Sequence, residues 1–301
     1  MTTHPAIAGI SINIDPVLHL GPFQVHWYGI MYAVAFLVAF RYGVLPHVVR
    51  KGKSRALAEK ITLWTIVFGL IGGRLYYVLQ QPNLFSYYIP HPEHILAIWE
   101  GGMAFFGAII AGFITLAIAG WRYGLSPWLA LDGGVLFAVV GQPIGRIGNI
   151  INGDILGGPS NLPWATAYTF QTSPGHCAVL QPGFFCGVPY QPAAAYEALA
   201  TIAIGVLLFQ LRNRDVRDGV LAMVYVACYS VSQLLLFQVR TSEPAVLLGL
   251  RQAQWTSIGM LVIGLPLLYL LWRRSIAFFE ARDAKLSAAA AVSPPSRAAV
   301  P

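Results

Sequence analysis

Residues 26–45, HWYGIMYAVAFLVAFRYGVL, decide the fold class of this protein. Only one of these twenty residues, Arg41, is Lys, Arg, Asp or Glu. A helix that crosses the hydrocarbon core of a bilayer needs about 20 predominantly apolar residues. The stretch therefore predicts a transmembrane helix.

Six further apolar stretches of comparable length follow, and the composition agrees with them. Hydrophobic residues make up 56 % of the 301-residue chain and charged residues 10 %, against about 25 % charged residues in a typical soluble protein. This excludes a soluble globular domain, a disordered chain and a coiled coil. The sequence predicts an all-α polytopic membrane protein with seven transmembrane helices and a small external head segment. The predicted spans are 26–45, 57–80, 99–120, 127–145, 192–211, 219–238 and 253–272.

Charge bias predicts the orientation of these spans. Of the 19 Lys and Arg residues, 14 lie at the ends and in the loops that follow the first, third, fifth and seventh spans. Cytoplasmic loops carry such an excess, so we expect the N-terminus outside the cell and the C-terminus in the cytoplasm. The net charge of +7 then indicates contact with the cytoplasmic leaflet rather than binding to nucleic acid.

The spans divide the chain into three parts. Residues 1–25 contain no Lys or Arg and no pattern of a cleaved signal peptide, and we expect an ordered external arm. Residues 26–282 form the membrane domain, which includes the external head at about 146–191. Residues 283–301 are mostly Ala, Ser and Pro and are expected to form a disordered cytoplasmic tail.

The strongest chemical signal is GRIGNIINGDILGG, residues 145–158, where glycines and Pro143 interrupt the fourth predicted span. If its first part is helical, Arg146 and Asn149 share a face, as do Asn149 and Asn152. Together with Asp154 these side chains stand among glycines, which let a ligand or another backbone approach closely. An Arg side chain offers phosphate a planar fork of donors, so the block fits an anionic headgroup. A polar interfacial turn that caps a broken helix is an equally weighted interpretation.

Other polar residues have a structural interpretation beside a functional one. His26 and Tyr28 lie where an aromatic belt is expected, and spacing alone favours the belt. Arg74 stands in the stretch GGRLYY. Two interpretations of it have equal weight: a structural ion pair with Glu197, or a part of a functional site.

The three cysteines are too few for a disulfide framework. Cys177 and Cys186 both fall in the predicted external segment, where a disulfide is plausible. The sequence contains no CxxC pair and no His-rich spacing typical of a metal site, so we expect no bound metal.

Taken together, these stretches resemble the bacterial prolipoprotein diacylglyceryl transferase family. The resemblance covers nearly the whole chain, through HWYG at 26–29, GGRLYYVL at 72–79, IWEGGMAF at 98–105, GRIGNIINGD at 145–154 and the Tyr-Glu pair that ends at Glu197. It implies a multi-pass protein of the bacterial inner membrane with seven helices and an external head. It also implies a transferase that needs no cofactor.

The implied reaction moves diacylglyceryl from phosphatidylglycerol to the lipobox cysteine thiol of a prolipoprotein signal peptide, forming a thioether and releasing glycerol phosphate. The signature arginine and asparagine of the family fall on Arg146 and Asn149, which are assigned to the headgroup phosphate. Arg240 is assigned to a second phosphate or glycerol contact. Tyr28 and His26 are placed near the headgroup, with His26 as a possible base.

The remaining assigned residues contact the substrate or orient those that do. Glu197 is expected to orient an arginine, with Arg74 named as its partner. Asn152, Asp154 and Gly157 complete the substrate-binding set, and Asp154 stands where the family usually has Glu.

The chain departs from the usual family pattern at Phe106, Gln233 and Phe237, where many members have His, Arg and Glu. These departures leave a second function open: a lipid-binding membrane protein of the same fold that is not catalytic or has altered specificity. The retained Arg146, Asn149, Glu197 and Arg240 favour the transferase.

Overall fold

The structure, a computed structural model, describes residues 9–21, 23–97, 102–176, 188–214, 216–240 and 245–292. Side chains are described within these ranges except at 105, 106, 109 and 276–292. The elements, in chain order, are β1 (Ile10–Ile12), β2 (Val17–Leu20), β3 (Phe23–His26), α1 (Trp27–Val38), a π-helical turn (Ala39–Val44), α2 (Leu45–Arg50), α3 (Arg55–Leu79), a second π-helical turn (Leu84–Tyr88), a 3₁₀ turn (Pro92–His94), α4 (Phe105–Tyr123), α5 (Pro127–Asn152), β4 (Thr166–Tyr168), α6 (Ala193–Arg212), α7 (Val220–Val239) and α8 (Gln252–Val292).

Long apolar helices lie at all seven predicted positions. Six of them are long and apolar enough to cross a bilayer: the continuous helical run Trp27–Arg50, α3, α5, α6, α7 and the first part of α8. The seventh, α4, has 19 residues, and its apolar stretch Ile110–Tyr123 is shorter than the other six. The chain is thus a polytopic helical membrane protein, and the seventh span stays a prediction.

Capping residues explain where several helices begin and end. The Ser54 side chain accepts a hydrogen bond from the Leu57 N–H at the start of α3, which satisfies one orphan donor. Pro127 opens α5 at a position where its missing N–H removes no helical bond. Gly124 and Gly153 end α4 and α5 in the left-handed conformation, which glycine adopts without a steric penalty.

The C-terminal end of the fourth predicted span is wrong, because the helix is longer than predicted. It was expected to stop near residue 145, whereas α5 continues to Asn152 with Pro143 inside it. One proline removes one backbone hydrogen bond, and the rest of the ladder continues. The glycines serve as a contact face instead, because a Cβ at Gly148 would lie 3.2 Å from the Cα of Tyr28 in α1.

The end of the bundle where α5 ends and α6 begins, here called the head end, carries the short strands. β1 pairs in parallel with β4, and β2 pairs antiparallel with β3. The body of the protein is helical, as predicted, and the pairing of β1 with β4 joins the N-terminal arm to the head. The buried side chains of Leu156, Tyr168 and Tyr190 form the apolar core of the head.

Two predicted features fall at or beyond the limits of the described chain. The helix α8 continues to Val292, so residues 283–292, expected to be part of a disordered tail, are helical. Their Ala-rich composition favours a helix. Cys177 and Cys186 lie outside the described residues, as do residues 293–301.

At the opposite end of the bundle, basic side chains that follow the first span donate hydrogen bonds to backbone carbonyls at the end of α6 and in the loop after it. Arg50 donates to the Arg212 carbonyl at the end of α6 (2.8 Å), and Lys51 donates to the Val216 carbonyl (3.0 Å). Cations near helix C-termini also interact favourably with the helix dipole. The residues that set the charge bias thus have a structural role at this end.

A buried carboxylate fixes the start of α7. Asp132 of α5 is 1 % exposed, and its two oxygens accept hydrogen bonds from the Gly219 and Ala222 N–H groups, both at 2.8 Å. An N-cap normally comes from the helix itself, whereas here a neighbouring helix supplies it. Asp132 therefore sets the position of α7 relative to α5.

We predict that Asp132→Asn lowers the free energy of unfolding by about 1.5–3 kcal/mol, because one charge-assisted acceptor is replaced by an NH₂ donor that faces an N–H. Thermal unfolding in detergent measures the loss. The matched control is Asp218→Asn, whose partly exposed pair with Lys51 is worth about 1 kcal/mol or less. Equal loss in both variants would contradict the role given to Asp132.

Candidate functional site

The predicted signature residues lie on one face of α5, near the head end. Arg146, Asn149 and Asn152 follow one another at three-residue intervals along the helix, and this spacing stacks side chains on one face. The Arg146 Nη1 donates to the Asn149 Oδ1 at 3.0 Å. The conditional prediction of a shared helical face is therefore correct.

An ion pair joins this face to α6. The Arg146 Nη2 lies 2.5 Å from the Glu197 Oε1, and the side chains are 21 % and 3 % exposed. Tyr229 of α7 donates its hydroxyl to the same Glu197 oxygen at 2.9 Å. Three helices thus meet at one carboxylate, which we call the Glu197 junction.

The predicted pairing of Glu197 with Arg74 is wrong. Arg74 is 1 % exposed and donates to the carbonyls of His94 (2.6 Å), Ile95 (3.1 Å) and Gly102 (3.3 Å). These carbonyls belong to the segment between α3 and α4, so Arg74 anchors that segment. Sequence spacing does not reveal which of two arginines a distant glutamate meets, and the fold selects Arg146.

The amide side chains extend the site to the end of α5. Asn149, 3 % exposed, donates to the Asp154 Oδ1 at 2.8 Å, and Asn152 donates to the Asp154 Oδ2 at 3.0 Å. Asp154 follows the left-handed Gly153, which turns the chain back toward the helix. The asparagines therefore hold the Asp154 carboxylate beside the Glu197 junction.

The head closes the end of α5 over these residues. The Tyr168 hydroxyl donates to the Ile150 carbonyl (2.7 Å), and the Ser173 hydroxyl donates to the Asn152 carbonyl (2.9 Å). Burial raises the pKa of Tyr168, so its hydroxyl stays protonated and remains a donor. Carbonyls that have no partner within the helix are satisfied in this way.

Tyrosines of α1 lie beside the part of α5 that carries Arg146. Tyr28 donates to the Tyr32 hydroxyl at 2.9 Å, and a Cβ at Gly148 or Gly145 of α5 would lie 3.2 Å from the Tyr28 Cα or 3.9 Å from the Tyr32 ring. The backbone of His26, at the start of α1, pairs with Val17 in the β2–β3 hairpin, and the residue is exposed. The hairpin therefore positions both predicted HWYG residues at the head end, and Tyr28 also packs against Gly148 of α5.

Four residues of this site were not predicted from the sequence. Tyr32 and Tyr229 are two of them, and the others are Gln142 and Tyr225, joined by a hydroxyl-to-carbonyl hydrogen bond of 3.1 Å. Gln142 precedes Arg146 by one helical turn, and Tyr225 precedes Tyr229 by one turn. Polar residues one turn apart in two apolar spans were the signal that could have indicated a shared face.

Gly157 has a packing role in the structure. A Cβ at this position would lie 2.9 Å from side-chain atoms of both Gln191 and Val239, closer than real Cβ atoms approach. The Gly158 N–H donates to the Val239 carbonyl at 3.1 Å. This contact holds the glycine-rich loop against the end of α7, directly before Arg240.

Arg240 caps α7 at the head end, and its guanidinium lies 5.1 Å from the centre of the Phe237 ring. Arg240 is eleven residues beyond Tyr229, which corresponds to about 16 Å along a helix axis. The two assigned cations, Arg146 and Arg240, therefore stand at different depths of the same end of the bundle.

A family model described as prolipoprotein diacylglyceryl transferase matches residues 16–270. The chain belongs to this family. Three relatives carry the name phosphatidylglycerol–prolipoprotein diacylglyceryl transferase. The Bordetella avium protein is 33 % identical over 87 % of this chain and 97 % of its own length. The Trichormus variabilis protein is 32 % identical over 89 % of this chain and 93 % of its own length. The Frankia alni protein is 32 % identical over 86 % of this chain, which spans 66 % of that relative.

The three positions predicted to differ from the usual pattern of this diacylglyceryl transferase family lie on two helices. Phe237 is 2 % exposed and Gln233 is 9 % exposed, and both are on α7. The side chain of Phe106, on α4, lies outside the described part of the chain. The departures on α7 stand between Tyr229 and Arg240.

The ion pair at the Glu197 junction gives a test of the site geometry. We predict that Glu197→Leu lowers the free energy of unfolding by about 3 kcal/mol, because Arg146 is left as a largely buried charge without its partner. The double variant Arg146→Met/Glu197→Leu should regain most of this loss. Thermal unfolding of the single and double variants in detergent measures the coupling.

The control is Glu59→Leu, since the exposed Arg55–Glu59 pair contributes about 0.5 kcal/mol or less. Additive losses in the Arg146 and Glu197 variants, with no coupling, would contradict the ion pair.

Proposed function

We propose that this protein transfers the diacylglyceryl group of phosphatidylglycerol to the cysteine thiol of a prolipoprotein signal peptide. Relatives that match most of the chain carry the name of this activity. The observation that carries the proposal is the Arg146 guanidinium, held by Asn149 and Glu197 at the head end. The alternative of a lipid-binding paralogue without activity is not favoured.

The reaction exchanges one bond at a glyceryl carbon. The substrate sulfur forms a bond to the glyceryl carbon while the bond from that carbon to the phosphate oxygen breaks, with its electron pair leaving on glycerol phosphate. The thiol proton is lost, since the thiolate is the nucleophile. The protein must therefore hold the phosphate, stabilise its growing charge and accept a proton.

Arg146 has the donors needed to hold the phosphate. Two of its five N–H groups are used by Asn149 and Glu197, which leaves three for a ligand among the contacts of the described residues. The planar fork of donors matches two phosphate oxygens at once. Because Asn149 and Glu197 fix the guanidinium beforehand, little reorientation is needed as charge develops on the leaving group.

Arg240 supplies a second positive charge at the head end. The charge of Arg146 is balanced by Glu197, and Asp154 adds a carboxylate nearby. A phosphate that enters this cluster therefore needs a further cation. We assign Arg240 to the phosphate or the headgroup glycerol, and Asn152 and Asp154 to the glycerol hydroxyls.

A proton acceptor is proposed at the start of α1. The imidazole of His26 is exposed at the head end, two residues before Tyr28, and a neutral imidazole accepts a proton at physiological pH. A prolipoprotein cysteine that arrives from the outer face would meet this element first. We also propose that the head end lies on that outer face, which the charge bias supports, and that α4 is the seventh span.

The activity is tested directly by mass. Purified protein is incubated with phosphatidylglycerol and a synthetic lipobox peptide, and the peptide is weighed by mass spectrometry. We expect the gain of one diacylglyceryl group on the cysteine and no gain on a peptide with that cysteine replaced by serine. An unchanged peptide mass would overturn the proposed function.

Arg146 variants test its role in the same assay. We predict that Arg146→Ala lowers the rate at least about 100-fold, the size of effect seen when one stabilising donor at a reaction centre is removed. Arg146→Lys should restore little of it, because a point charge does not replace the fork. Arg41→Ala is the matched control, since Arg41 is exposed and lies over the Tyr42 ring in the π-helical turn after α1, away from the head end. A rate in Arg146→Ala equal to that of the control would remove Arg146 from the mechanism.

A further inference from the structure

One side chain on the site-facing row of α7 has no role so far. Tyr225, Tyr229, Gln233 and Phe237 stand at four-residue intervals, so they form one row along the helix. The first two reach the site by hydrogen bonds to Gln142 and Glu197. Gln233 is the next residue of this row, about 6 Å beyond Tyr229 and about 10 Å short of Arg240 along the axis.

The amide of Gln233 is buried without a hydrogen-bond partner. The residue is 9 % exposed, and its Nε2 meets no acceptor among the residues that the structure describes. Gln142 and Gln254, on neighbouring helices, use their amides in hydrogen bonds. A buried donor without an acceptor is costly to the folded protein, so this position needs an explanation other than stability.

We infer that the Gln233 Nε2 donates a hydrogen bond to a headgroup hydroxyl oxygen of the glycerolipid held between Arg146 and Arg240, and so selects a hydroxylated headgroup. The inference rests on the proposed function for the identity of the lipid. The depth of Gln233 supports it: a headgroup whose phosphate is at Arg146 and whose free end extends toward Arg240 passes this turn of α7.

The chemistry of the amide explains the selectivity. An amide N–H needs an acceptor, and a hydroxyl oxygen offers two lone pairs. An ammonium headgroup, as in phosphatidylethanolamine, has only donors and leaves the amide unpaired. A site with a buried polar group of this kind rejects analogues that cannot complete its hydrogen bond.

The test is Gln233→Leu, which keeps the approximate volume and removes the donor. In the transfer assay we expect the KM for phosphatidylglycerol to rise about three- to tenfold with kcat changed by less than about twofold, as one net hydrogen bond predicts. The ratio of the inhibition constant for phosphatidylethanolamine to the KM for phosphatidylglycerol should fall by the same factor. The thermal midpoint of the lipid-free protein should stay or rise, because a buried unpaired group is removed.

The matched control is His47→Leu. His47 is 2 % exposed, and neither ring nitrogen has a partner among the described residues. It lies in α2, at the opposite end of the bundle from Arg146. The same change from a buried polar to an apolar side chain should leave both the KM and the lipid preference unchanged.

A second readout separates this inference from the proposed function. The rise in thermal midpoint caused by phosphatidylglycerol and by phosphatidylethanolamine in detergent is measured for both variants and the parent protein. If the parent protein transfers nothing, the proposed function fails, and the shifts still decide the role of Gln233. An unchanged lipid preference in Gln233→Leu, or a loss of several degrees in its lipid-free midpoint, overturns the inference.

Discussion

The ion pair between Arg146 and Glu197 is the interaction on which the rest of this structure depends. A carboxylate that is 3 % exposed has lost nearly all its water, and such a loss costs several kcal/mol unless partners replace it. Arg146 from α5 and Tyr229 from α7 are those partners. The register of α5, α6 and α7 is therefore fixed at one carboxylate, and the same contact orients the guanidinium toward the head end.

The head supports this junction from outside the helices. Its strands and loop satisfy the last carbonyls of α5 through Tyr168 and Ser173, and its glycine-rich loop joins the end of α7. The head thereby holds the last turn of α5, next to Asn152 and Asp154. This explains why a chain of largely apolar helices carries a small β layer at one end, since strands supply the backbone donors and acceptors that fix a loop.

The sequence revealed what depends on local pattern and missed what depends on distant packing. Six span positions and the shared helical face of Arg146 and Asn149 followed from residue type and spacing, and the family followed from the resemblance of several motifs along the chain. The end of α5 was misplaced because Pro143 and three glycines are typical of a break, and only contact with α1 makes them a packing face. The partner of Glu197 was misassigned because Arg74 and Arg146 are equally plausible until the fold brings one of them near.

The balance of charge at the junction bears on what the site recognises. Two carboxylates, Glu197 and Asp154, accompany Arg146, so the immediate surroundings do not attract an anion by net charge. Selectivity must then come from directed donors: the free N–H groups of one guanidinium, amides and phenols arranged in fixed positions. Directed hydrogen bonds distinguish headgroups of similar charge and size, which net charge alone does not. Under the proposed function, a lipid phosphate enters such a site because its oxygens complete specific hydrogen bonds, and the headgroup hydroxyls contribute to binding for the same reason.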